Sequence, residues 1–120
     1  MAVRGIRGAT TVNADIKDEI ITATRELLEV MQQANSINPE DIASVLFTVT
    51  PDIKSVFPAV AARSLGWNLV PLMCFQEIPV SEALPLCIRV LIHVNTSKTQ
   101  EEMVHVYLNQ ARELRRDLAK

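Results

Sequence analysis

The stretch Leu86-Cys87-Ile88-Arg89-Val90-Leu91-Ile92-His93-Val94-Asn95 decides the architecture. Side chains alternate across a strand, so Leu86, Ile88, Val90, Ile92 and Val94 form one unbroken apolar face, the core side. The opposite face carries Cys87, Arg89, Leu91 and His93 and is half apolar. It is therefore partly covered as well. An arginine in mid-strand on such a face requires an anionic partner, because an unpaired buried charge is costly.

Working outward, Val3 to Val12 reads as another strand, with Val3, Gly5, Arg7 and Ala9 on one face. From about Asp15 to Ala34 the spacing predicts the one long helix. Its apolar stripe is Ile16, Ile20, Ala23, Leu27, Met31 and Ala34, and Asn13 or Asp15 is the expected cap. Asn38-Pro39-Glu40-Asp41 reads as a capped short turn. Ile42 to Thr50 alternates as a strand that Pro51 ends. Pro58 to Leu65 reads as a short helix stopped by Gly66, and Asn68 to Phe75 as a strand weakened by Pro71. In the tail, Thr99 to Glu102 has the form of a capping box, while His105 to Leu108 suits either more helix or an edge strand. These elements predict an α+β (α/β-like) fold: a mixed sheet of about five strands with one long and one short helix on one face.

A chain of 120 residues suits a single domain, residues 1–120, with a thin stability margin that partner subunits would widen. Aromatics make up only 4%, so the core is aliphatic. The formal net charge of −2 gives no basic excess for nucleic acid or an anionic membrane. No stretch approaches the roughly 20 apolar residues of a membrane span. MAVRGIRGATT lacks the apolar region of a signal peptide. Cys74 and Cys87 have no metal-ligand spacing, so two free thiols in a cytoplasmic protein are expected.

Arg7, between Gly5 and Ala9, poses the same question as Arg89. Two strand arginines can converge on one anion, with Glu77 able to pair with either. The same spacing also suits two ordinary solvated or ion-paired arginines. Phe57 reads most simply as a core anchor at a helix entrance, His93 as a structural residue on a sheet or subunit face, and His105 as exposed. Composition and pattern lead no further than an α/β domain with an anion pocket.

Motif order adds more. Arg4-Gly5-Ile6-Arg7-Gly8-Ala9-Thr10-Thr11, Thr50-Pro51-Asp52 with Val56-Phe57-Pro58-Ala59, Cys74-Phe75-Gln76-Glu77, Cys87-Ile88-Arg89-Val90 and His105-Val106-Tyr107-Leu108 follow one another from Val3 to Leu118. In that order they resemble the monofunctional, AroH-class chorismate mutases. Each motif alone is weak; their joint order and spacing are specific.

The resemblance implies a pseudo-barrel homotrimer with active sites between subunits. The implied reaction is the rearrangement of chorismate to prephenate in aromatic amino-acid biosynthesis, with no cofactor and no metal. By motif position, Arg89 would stabilise the ether oxygen, Arg7 would bind a carboxylate, and Tyr107 would donate to one. Glu77 and Cys74 would hold the ring hydroxyl. Phe57, Ala59 and Met73 would line the pocket, with Arg63, Leu114 and Arg115 at its mouth. Val60 stands where family members often carry lysine, Arg116 replaces a usual proline, and one residue is missing near Leu65-Gly66-Trp67. A trimeric binding module without catalysis is the competing reading. A deaminase-like relative would lack the Arg7, Arg89 and Glu77 set.

Overall fold

A computed structural model describes residues 1–115, the side chain of Arg115 excepted. Five strands, β1 (Ala2–Thr11), β2 (Ile42–Val49), β3 (Leu72–Gln76), β4 (Cys87–Thr96) and β5 (Val106–Tyr107), form one mixed sheet in the order β3-β2-β4-β1-β5. β4 pairs antiparallel with both β1 and β2, while β3 and β5 add parallel edges. The strand with the unbroken apolar face therefore lies at the centre. Ile88, Val90, Ile92 and Val94 are all buried, as the alternation predicts.

Helices α1 (Lys17–Asn35) and α2 (Ala59–Ser64) cover that inner face. Leu27, Leu28 and Met31 of α1 pack on Ile6, Val45, Phe47, Val90 and Ile92. Gly8 makes this approach possible, because a Cβ there would collide with Met31 Sδ and stand 3.2 Å from Leu27 Cδ1.

The helix departs from expectation at both ends. Its N-cap is Ile16, more than half exposed and without a side-chain cap. Asp15, expected as a cap, instead accepts the backbone N–H groups of Lys54 and Ser55, each at 3.0 Å. Those bonds hold its carboxyl below the ordinary aspartate value. At the far end Ala34 is exposed and Asn35 is buried, because a helix of 3.6 residues per turn carries the stripe from Met31 to position 35. Asn35 bonds Val104 in both directions, 2.9 Å to its carbonyl and 2.7 Å from its N–H. The segment that leads into β5 is thus pinned to the helix end.

Elsewhere the third strand begins at Leu72, later than Asn68, because Pro71 has no N–H to give a ladder. The Pro71 carbonyl still accepts from Val45 N–H at 2.9 Å. The ambiguous tail resolves as an edge strand, β5, followed by a 3₁₀ segment at Asn109–Arg115. Thr99 and Glu102 form the expected capping box. No described helix is long and apolar enough to cross a membrane.

Candidate active site between sheet and tail

On the sheet face turned away from α1, strand alternation places Gly5, Arg7 and Ala9 of β1 beside His93, Leu91 and Arg89 of β4. Ala9 is the partner of Arg89 and Leu91 of Arg7, so the two arginines are diagonal neighbours, roughly 7–8 Å apart at the backbone. On the other side of β4, Thr48 of β2 is opposite Arg89 and Leu46 is opposite Leu91. Tyr107 of β5 pairs with Ala9 and closes the far edge.

The result is a cleft of about 380 Å³ lined by Arg7, Leu46, Thr48, Phe75, Arg89, Leu91, Tyr107 and Leu114, with the β1 backbone at Gly8 and Ala9 as floor. That volume suits a small ligand. Tyr107 is 5% exposed and packs with Ala9, Ala111, Leu84 and Leu114.

Glu77 follows β3 directly, and its N–H bonds Val49 carbonyl at 2.9 Å, continuing the β2–β3 ladder by one step. Its carboxylate is thereby delivered to Arg89, with Nε 3.1 Å from Oε2. Thr48 Oγ1 donates to the same Oε2 at 2.7 Å. Arg89 has the anionic partner that its strand position demands. Among the described residues, two arginines line the cleft and one carboxylate, that of Glu77, pairs with Arg89, a net positive balance suited to a small anion.

A second hollow, about 490 Å³, adjoins β3 and shares Phe75. Its walls include Phe57, Pro58, Val56 and Cys74. Phe57 is 70% exposed there, so the core-anchor reading is corrected: Ala59, Ala61 and Ala62 of α2 face the core in its place. Cys74 faces the helix layer, because β3 alternates and Met73 and Phe75 take the other face. Burial pushes its thiol up, with the Ala59 N–H and the Arg63 charge offsetting part of the rise. Burial also pushes the Cys87 thiol up, to about 11, and the Arg89 charge opposes it.

The expected site residues thus fall into two groups within one chain. Arg7, Arg89, Glu77, Tyr107 and Leu114 gather at the first cleft; Phe57 and Cys74 line the second hollow, with Ala59 and Arg63 on α2 beside Cys74. Met73 is 57% exposed on β3 between the groups, and the Arg115 side chain lies outside the described residues. His105 is half-buried, contrary to expectation, and its Nδ1 accepts the Arg7 backbone N–H at 3.0 Å. A larger hollow of about 650 Å³ includes Asp18, Glu19 and Glu26 among its walls. Three carboxylates make it hostile to an anion.

The family model for chorismate mutase type I matches residues 3–118. This chain belongs to the type I chorismate mutase family. Among chorismate mutases it is 47% identical to AroH of Bacillus subtilis, over 99% of this chain and 94% of that protein. It is 52% identical to AroH of Thermus thermophilus, over 97% and 96% of the two chains. A solved chorismate mutase from Clostridium thermocellum superposes with a TM-score of 0.90 at 49% identity, covering 91% of this chain and 97% of that one.

For a chorismate mutase fold, sequence reasoning overlooked Thr48, Leu46, Leu91 and Phe75, all in the cleft walls. The alternation of β2 hinted at Leu46 and Thr48, that of β4 at Leu91, and Phe75 lies within the Cys74-Phe75-Gln76-Glu77 motif. A threonine in a strand carries no mark of function until the register sets it opposite Arg89.

Proposed function

We propose that this protein catalyses the intramolecular rearrangement of chorismate to prephenate, acting in the cytoplasm in aromatic amino-acid biosynthesis, with residues 1–120 as one catalytic domain. The observation that carries the reading is Arg89 at the cleft wall, held by Glu77 and a diagonal neighbour of Arg7. In this pericyclic reaction the ether C–O bond lengthens before the new C–C bond forms. Negative charge grows on the ether oxygen and positive charge on the ring. A guanidinium already in place stabilises that oxygen more in the transition state than in the ground state, which is what lowers a barrier. Glu77 serves the opposite charge on the ring. Arg7 and Tyr107 take the carboxylates and hold the substrate in the compact diaxial form from which the bond closes. No nucleophile, metal or cofactor enters this scheme.

The working unit is a homotrimer with sites between subunits. The two groups of expected site residues support this, since one chain offers the arginine cleft and a second could offer Phe57, Ala59, Arg63 and Cys74 to it. The apolar exposure of Val3, Met73, Phe75 and Ile78 also favours assembly. A trimer supplies area that a chain of this size cannot bury alone.

The test is direct. Purified protein should remove the chorismate diene absorbance at neutral pH, without added metal and undiminished by EDTA. A folded, assembled protein without turnover would overturn the reading in favour of a binding module.

A further inference from the structure

We infer that Thr48 is a positioning residue for the reaction, acting through Glu77. This rests on the mutase reading and adds to it a side chain in none of the motifs that carry the family resemblance. Glu77 sits just beyond the end of β3, where one backbone bond to Val49 is all that continues the ladder. A glutamate at a strand end has three side-chain torsions to fix, and Arg89 alone does not fix them, because that arginine is itself 47% exposed. The hydroxyl of Thr48 supplies the second constraint. It stands opposite Arg89 across β2–β4 and opposite Phe75 across β2–β3, so its position is set by two strand ladders and owes nothing to loops.

Its bond of 2.7 Å and the Arg89 contact of 3.1 Å meet on one oxygen, Oε2. Two donors fill that oxygen and turn the carboxylate so that Oε1 is the atom left for the substrate's ring. Because the chemistry depends on opposed charges at set places, a carboxylate that swings also lets Arg89 swing. Both errors fall on the transition state, while Arg7 and Tyr107 still bind the carboxylates. Loss of the hydroxyl should therefore lower kcat and leave KM nearly unchanged.

The experiment compares the full-length wild-type chain with Thr48→Val, Thr48→Ser and Thr48→Ala in the chorismate assay. Thr48→Val keeps the branched shape and strand preference but has no donor. Thr48→Ala guards against valine crowding the cleft. Thr48→Ser restores the donor. The expected result is a kcat lowered about tenfold or more in the valine and alanine variants, as for a hydrogen bond to a charged group. KM should stay within about threefold, melting temperature should be little altered, and serine should return most of the rate. A valine variant with wild-type kcat overturns the inference. So does a serine variant as slow as valine, or a KM that rises as much as kcat falls. A wild-type protein with no turnover overturns the mutase reading itself, an outcome separable from the other three.

Discussion

Arg89 contacts Glu77 through Nε, the nitrogen nearest the stem, so the planar group that extends beyond it carries charge toward the cleft. A lysine at this position keeps the charge but has no lateral nitrogen. It must serve either Glu77 or the ether oxygen. Arg89→Lys should thus lower kcat about a hundredfold or more, the cost typical of one misplaced preorganised donor, with the assembled protein intact by size-exclusion chromatography. An unchanged kcat would show that the ether oxygen is stabilised by some other group. Cys87 gives a second residue-scale expectation. Its thiol, at about 11, is ionised in only about one molecule in a few thousand near pH 7.5, and thiolate is the reactive form. Native protein should resist iodoacetamide at Cys87 and react there only in denaturant, as read by peptide mass spectrometry. Fast native labelling would mean that β4 opens.

At the scale of elements, α1 rides close on one face of β1, the strand whose other face supplies Arg7 to the site. Gly8 lets Met31 and Leu27 touch the strand backbone, and the opposite face of that strand carries Arg7 and Ala9. Gly8→Ala would force Met31 aside in a packed layer, at a cost of about 1–3 kcal/mol as for other overpacked cores. Thermal unfolding should show a melting point several degrees lower, with kcat affected less than stability; an unchanged melting point would mean that the layer has slack. β5 is the other telling element. The residues His105-Val106-Tyr107-Leu108 suit either more helix or an edge strand, because four residues hold too little periodicity to separate them. Asn35 decides the matter by gripping Val104, a contact 69 residues apart in sequence. The bond from Leu108 N–H to Ala9 carbonyl then sets the strand. The N-terminus of α1 departs from expectation for a similar reason. Asp15 is a good local cap, but the N–H groups of Lys54 and Ser55 outbid the helix for its carboxylate.

At the scale of the whole molecule, the expected site residues of one chain fall into two groups, which the proposed trimer would join across subunits. Mixing tests this. Arg89→Ala damages one group. Phe57→Asp, at a position 70% exposed in the single chain and so compatible with that chain's own fold, damages the other by repelling an anionic ligand. Unfolded together in equal amounts and reassembled, the two variants should form mixed trimers. Each site draws its halves from two independently chosen chains, so half of one half, about a quarter of wild-type activity, should return. Each parent alone should stay near background. Activity no greater than the sum of the parents would place the whole site within one chain.

The periodicities of β4, β1 and α1, and the order of the short motifs, were determined by sequence alone, because burial against a layer demands a fixed spacing of apolar residues wherever that layer is. The same patterning singled out Arg89 as a charge in need of a partner. What only the tertiary structure decided was which partner, and from where. Register sets Thr48 opposite Arg89, the end of β3 delivers Glu77, and strand alternation turns Cys74 away from Arg7. Such relations depend on how strands slide and stack against one another, and a linear pattern of residue types contains no measure of that.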